Sequence, residues 1–246
     1  MNSKITTAII IPSYNETLAL PELLRELKIG LSENDAVIVM DDSPHEISKS
    51  IKIKCLDSIK NTSFEFRFDN SGNKSGRGAA IRRGMIVSLS EYPNIENVLE
   101  CDADGSHRAR DILKIKNFLG NPDLLVGSRY LASSEIIGWP ASRRVFSWTL
   151  NQIIPRFTGV KLRDITNGLR RYSKEAVEKI LAEPQINSGF IYLSEQAILV
   201  TKARMVIFEE PIIFVDRTLG SSTVTWREVV NSLYGILKLV LTNHKV

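Results

Sequence analysis

The strongest constraint on this chain is a handover that repeats along it, from a short apolar run to a polar stop to a helical pattern. Residues Ala8-Ile9-Ile10-Ile11-Pro12 form a β-branched run closed by proline, which reads as a buried strand. Ser13-Tyr14-Asn15-Glu16 follows, then Leu18, Leu20, Leu23, Leu24 and Leu27 at helical spacing. Ala36-Val37-Ile38-Val39-Met40 repeats the design and stops at Asp41-Asp42-Ser43. Asn97-Val98-Leu99-Glu100-Cys101 stops at Asp102-Ala103-Asp104. Strands alternating with helices imply βαβ units and a mostly parallel sheet flanked by helices, the α/β class. Ligands of such sheets bind outside the carboxyl ends of the strands. The three polar stops therefore line one rim.

The alternation continues downstream. Residues 64–68 alternate and read as a strand near an edge. Lys74-Ser75-Gly76-Arg77-Gly78 is a glycine-punctuated turn into a helix through Ile81, Met85 and Leu89. Residues 123–126 read as a strand that ends in Gly127-Ser128-Arg129-Tyr130. A helix with a basic start, Arg143-Arg144, runs from 141 to about 157. A loop over 161–168 follows, then helices over 174–182 and 190–202 and strands over 205–208 and 211–215. Trp226, Val229, Val230, Leu233, Leu237 and Val240 make a helical stripe. The expected organisation is one domain over residues 1–222. An amphipathic helix over 223–246 then packs on that domain, on a partner subunit or on a membrane surface.

Composition narrows the partners. Net charge is +4 with a pI near 9.0, and Lys and Arg form no block. The charge suits an anionic small ligand or a membrane surface, and the missing block disfavours nucleic acid. Two cysteines make no disulfide framework, and Cys101 reads as a small buried hydrophobe in a reducing cytosol. No apolar run reaches the ~18 residues of a membrane span. Met1 to Lys4 precede no signal-type apolar segment, so a cytoplasmic location is expected. Gly-x-Gly-x-x-Gly does not follow the first strand, which disfavours a dinucleotide.

Asp102 and Asp104 carry the chemistry. Side chains two apart on a strand point the same way. Paired hard oxygens suit Mg²⁺ or Mn²⁺, and a divalent ion there neutralises a diphosphate leaving group. Arg129, Arg143 and Arg217 are candidates for gripping phosphates, because guanidinium forks match phosphate oxygens.

Taken in order, six motifs resemble those of family 2 glycosyltransferases of the dolichyl- or polyprenyl-phosphate mannosyltransferase type. They are Ile11-Pro12-Ser13-Tyr14-Asn15-Glu16, Asp41-Asp42-Ser43-Pro44, the Gly76-x-Gly helix start, Asp102-Ala103-Asp104-Gly105-Ser106-His107, Gly127-Ser128-Arg129-Tyr130, and the run from Asp164 through Thr166-Asn167-Gly168-Leu169-Arg170 to Tyr172. The resemblance covers about residues 5–225. It implies a GT-A, Rossmann-like fold, a nucleotide-sugar donor such as GDP-mannose, a divalent metal and inversion at the anomeric carbon. By resemblance, Pro12, Tyr14, Glu16, Asp41 and Asp102 line the nucleotide, with Arg217 on the donor diphosphate. Asp104 is the firmer metal ligand. Ser128, Arg129 and Arg143 hold the acceptor phosphate.

A lipid phosphate oxygen is already anionic and needs no base. A sugar hydroxyl would need one, with Asp164 or His107 as the candidate. The expected acceptor is polyprenyl phosphate, reached by peripheral contact with the cytoplasmic face of a membrane or through a membrane-anchored partner. Two alternatives stay open: a cytosolic transferase using a UDP- or dTDP-sugar and a non-lipid acceptor, and a non-catalytic nucleotide-binding subunit.

Overall fold

A computed structural model describes residues 4–185, 187, 189 and 191–216. Its centre is a seven-stranded sheet in the order β3-β2-β1-β4-β7-β5-β8. The strands are β1 (Thr7–Ser13), β2 (Asp35–Asp41), β3 (Glu65–Asn70), β4 (Asn97–Glu100), β5 (Leu124–Ser128), β7 (Arg170–Ser173) and β8 (Ile207–Pro211). A small second sheet pairs β6 (Glu135–Ile137) with β9 (Ile213–Val215). The helices are α1 (Ala19–Leu27), α2 (His45–Ser58), α3 (Arg77–Glu91), α4 (Ala109–Lys116), α5 (Ala141–Thr158), α6 (Lys174–Ala182) and α7 (Tyr192–Lys202).

Side-chain alternation along the buried strands divides the core in two. Ala8 and Ile10 of β1 face Ile81 and Met85 of α3, Val177 and Ile180 of α6, and the α7 side chains. Ile9 and Ile11 face the leucines of α1, Ile51 of α2, and Ile112 and Ile115 of α4. A strand buried on both faces must be apolar throughout, which is why β1 and β2 are the most legible segments of the sequence. The order reverses between β1 and β4, since α1 leads outward to β2 and α3 leads back across to β4. Such a switch point opens a crevice at the carboxyl ends of the strands.

The expected edge position of the 64–68 segment is met by β3. Several features differ from the sequence reading, among them the unexpected strand β6 and the start of β8 at Ile207. Residues 170–173 form a strand, antiparallel to both β4 and β5. The last expected strand begins at Ile213 and joins β6 instead of the main sheet. β4 ends at Glu100, so Asp102 and Asp104 stand beyond the strand. The alternation nonetheless persists there, with Cys101 and Ala103 buried and both aspartates half-exposed. Among the described residues no helix is long and apolar enough to cross a membrane. Arg217 and the expected helix over 223–246 lie outside the described residues.

Candidate active site

The rim begins where β1 and β2 end side by side. Ser43 Oγ donates to Asp41 Oδ1 at 2.7 Å and accepts the Asn15 N–H at 2.7 Å. Asn15 sits at φ +62°, a conformation Asn tolerates better than most residues. Asn70 Nδ2 donates to Asp41 Oδ2 at 3.2 Å. Asp41 is thus wholly buried, and both its oxygens brace the rim loops. Pro12, Tyr14 and Glu16 are half-buried beside it, with the Lys74 ammonium 5.1 Å from the Tyr14 ring centre. Asp42 ties down the turn before α3, accepting from Ser71 Oγ at 2.7 Å and from Ser75 N and Oγ at 2.8 and 2.6 Å. Burial pushes its carboxyl up, but these hydrogen bonds and the Arg83 guanidinium outweigh burial and hold it below the usual range.

The second part of the rim is built around Arg77, the first residue of α3. Its Nε donates to Asp102 Oδ1 at 2.7 Å, Nη1 to Glu100 Oε2 at 2.8 Å, and Nη2 to the Gly168 carbonyl at 3.0 Å. A Cβ at Gly168 would stand 2.5 Å from Nη2. The guanidinium is pinned by two carboxylates and has nowhere to retreat, so that position requires glycine. Tyr172 Oη donates to Glu100 at 2.7 Å, and the Tyr192 hydroxyl donates to it as well. Burial raises the Glu100 carboxyl against the pull of Arg77. At Asp102 burial is outweighed by the Arg77 charge, and the carboxyl is held low. Asp104 Oδ1 accepts the Ser106 N–H at 3.0 Å across Gly105 at φ +79°.

His107 closes this loop from beneath. Its Nδ1 accepts the Asp102 N–H at 3.0 Å, so Nε2 carries the proton and donates to Asn167 Oδ1 at 3.0 Å. Asn167 Nδ2 in turn donates to the Gly127 carbonyl. Both imidazole nitrogens are engaged, and the ring is fully buried.

The third part is arginine-rich. Arg129 grips Asp164 with Nε on Oδ2 at 2.7 Å and Nη2 on Oδ1 at 2.8 Å, and its backbone N–H reaches Oδ2 at 2.9 Å. Burial alone would raise the Asp164 carboxyl, but the Arg129 charge and these bonds hold it below the usual range. Nη1 of Arg129 makes no hydrogen bond among the described residues. Arg129 and Arg143 meet at one indole, 5.0 and 4.2 Å from the Trp139 ring centre. Arg143 Nη1 also pairs with Asp216 at 2.8 Å. Trp139 Nε1 and Tyr130 Oη are buried without a hydrogen-bond partner among the described residues. Ser128 is fully buried, and its hydroxyl accepts the Tyr130 N–H at 3.4 Å.

A family model for glycosyl transferase family 2 matches residues 8–181. The chain belongs to that family. It is a glycosyltransferase. An undecaprenyl-phosphate mannosyltransferase of Micrococcus luteus is 29% identical over 217 residues, which is 88% of this chain and 86% of that one. A polyprenol monophosphomannose synthase of Mycolicibacterium smegmatis is 27% identical over 234 residues, 94% of this chain and 85% of its own. Glucosyl-3-phosphoglycerate synthase from Mycobacterium tuberculosis, solved with Mn²⁺, UDP-glucose and phosphoglyceric acid, shares the fold. Its TM-score is 0.63 at 12% identity, over 98% of this chain and 80% of that one. The sheet of this family 2 glycosyltransferase is therefore of the GT-A type.

The donor set of the glycosyltransferase fits a divalent ion that arrives with a diphosphate. Asp102 and Asp104 are hard oxygen donors on the open side of the loop. No group of three ligand-type side chains exists among the described residues. Mg²⁺ characteristically takes one or two carboxylates and completes its shell with substrate phosphates and water. Arg77 occupies Oδ1 of Asp102 and thereby fixes how the carboxylate is turned.

The sequence reading missed Arg77, Glu100, Trp139, Asn167 and Arg170 as individual participants. Glu100 carried a usable signal, because a carboxylate inside an apolar strand must find a partner. Arg77, a cation at a helix start between two glycines, was the partner to test. Trp139 carried none, because its role depends on contacts with residues distant in sequence.

Proposed function

We propose that this glycosyltransferase moves a mannosyl group from a nucleotide sugar, GDP-mannose, to a polyprenyl phosphate, with inversion and with Mg²⁺ or Mn²⁺ as cofactor. The observation that carries this reading is the meeting of Arg129 and Arg143 at Trp139. Among the described residues, Trp139 Nε1 and Tyr130 Oη supply donors there without hydrogen-bond partners. Desolvated guanidinium and N–H donors suit a phosphate oxygen. The names of the two bacterial relatives point to the same acceptor class and the same sugar.

The chemistry of the engaged bases supports the choice. Asp164 has both oxygens on Arg129, and His107 has both nitrogens bound. A hydroxyl acceptor would need a base, whereas a phosphate oxygen is already anionic. In this reading Arg129 and Arg143 hold the acceptor, and Asp164 positions Arg129. Asp102 and Asp104 hold the metal, which when bound neutralises the diphosphate leaving group. The rim around Pro12, Tyr14, Glu16 and Asp41 receives the nucleotide.

The test is transfer from radiolabelled GDP-mannose to a short polyprenyl phosphate, beside UDP- and dTDP-sugars and a panel of hydroxyl acceptors. Label in a lipid-soluble, mild-acid-labile product supports the reading. Transfer only to a hydroxyl acceptor or only from another nucleotide overturns it. Asp104→Asn should lower turnover at least about a hundredfold with an unchanged melting temperature, since an amide replaces a charged oxygen ligand poorly. Full turnover by that variant, or in excess chelator, removes the metal assignment.

A further inference from the structure

Strand β9 lies between two loops that the site needs. On one side it pairs with β6, from Glu135 opposite Ile213 to Ile137 opposite Val215. The Asp216 N–H extends that pairing to the Ile137 carbonyl at 2.8 Å, and Trp139 follows two residues on. On the other side the Val215 N–H donates to the Ser106 carbonyl at 3.2 Å, and Phe214 bridges antiparallel to His107. Ser106 and His107 belong to the loop that carries Asp102 and Asp104. Phe214, buried at this junction, meets both sides. Its ring stands edge-on to His107 at 5.5 Å and to Trp139 at 5.3 Å, with planes 82° and 68° apart. The Arg129 guanidinium lies 5.4 Å from the same ring centre.

We propose that Phe214 is a positioning residue that couples the two halves of the site. A nucleotide bound with its metal at Asp102 and Asp104 then tightens the grip of Arg129 and Arg143 on an acceptor phosphate. This rests on the lipid-phosphate reading above and adds the route by which one substrate registers the other. The physical basis is shared order. Edge-to-face ring pairs fix one another's orientation, and a phenyl held between two rings lets neither turn alone. A ligand that fixes the 102–107 loop fixes β9 through the Ser106 carbonyl. Phe214 passes that constraint to Trp139, on which both arginines lie. The second ligand then meets arginines already ordered and loses less conformational freedom, which is positive coupling.

Titration calorimetry of the full chain tests this with a short-chain, water-soluble polyprenyl phosphate, with and without saturating GDP and Mn²⁺. In the wild type, GDP with Mn²⁺ should lower the dissociation constant of the lipid phosphate at least about fivefold, the lower end of ordinary coupling. Phe214→Leu keeps an apolar side chain and loses the ring. It should bind GDP with Mn²⁺ as the wild type does and bind the lipid phosphate equally with and without them. Val215→Pro removes the N–H that reaches Ser106 and leaves the ring. It should abolish the coupling as well, and it carries the test if Phe214→Leu does not fold. Equal lipid-phosphate affinity under both conditions in the wild type overturns the proposal. So does a variant that weakens both affinities and keeps the wild-type coupling, since Phe214 would then only pack. Inorganic phosphate titrated in the same series separates this joint from the function. Coupled phosphate binding with no affinity for the polyprenyl phosphate leaves the joint standing and removes the lipid acceptor, and binding of neither overturns both.

Discussion

Asp164 cannot serve two roles at once. Both oxygens are spent on Arg129 and the backbone beside it, so its work is to aim a guanidinium. Removing one partner of a buried pair costs about 3–5 kcal/mol, and about 2–4 °C follows each kcal/mol in a chain of this size. Asp164→Asn should therefore lower the melting temperature on the order of 10 °C, and the pH profile of its residual turnover should keep the wild-type shape. A normal melting temperature with a lost acidic limb would mark a general base instead. Arg77 makes a parallel case. Arg77→Gln should weaken nucleotide binding in the presence of Mn²⁺ by about tenfold or more, because Asp102 loses the donor that orients it. Unchanged affinity in titration calorimetry would leave Arg77 a purely structural residue. The carboxylates themselves were legible because acids after an apolar run stand out. What turns them was not, since Arg77 and Asp102 are 25 residues apart and only the packing of α3 on the sheet joins them.

Among the elements, β7 shows how charge disguises a strand. Arg170-Arg171-Tyr172-Ser173 has no apolar run, yet its first three residues are buried. Arg170 donates to the carbonyls of Asn167, Leu193 and Ile165. Arg171 donates to those of Lys116, Phe118 and Gly120. Hydrogen-bonded in this way, both guanidiniums enter the protein at tolerable cost, and a reading by hydropathy passes over them. The parallel strands were legible for the opposite reason, as two-sided burial leaves only apolar residues. Helix α5 carries the same lesson on its inner face. Asn151→Leu would improve the apolar character of that face on paper. It should instead destabilise the fold by about 1–3 kcal/mol in urea denaturation, because the Ile165 N–H and the Thr166 hydroxyl lose a buried partner. A variant as stable as wild type would mean that the loop after Asp164 repacks without Asn151.

At the scale of the whole molecule, two buried or half-buried carboxylates clamp the rim to the sheet from opposite sides of the crevice. Asp42 holds the turn before α3, and Asp164 holds Arg129. Both carboxyls titrate below the usual value, burial being outweighed by hydrogen bonds and Arg83 in one and by Arg129 in the other. An unfolded aspartate titrates near 3.9. As pH falls, the unfolded chain therefore takes up these protons first, and protonation favours unfolding. The stabilisation is complete above about pH 5 and drains away as pH falls through the folded-state values below about 4. The chain already carries +4 at pH 7, so every carboxylate neutralised also adds to net repulsion. Melting temperatures should be nearly level from about pH 8 to 5 and fall steeply below about 4. The deficit of Asp164→Asn against wild type should narrow over that same acid range, because the wild type is then losing the ion pair the variant never had. A deficit that stays constant down to about pH 2 would show that the ionised carboxylate is not what holds Arg129, and the clamp would have to be sought in the Thr166 and backbone contacts instead.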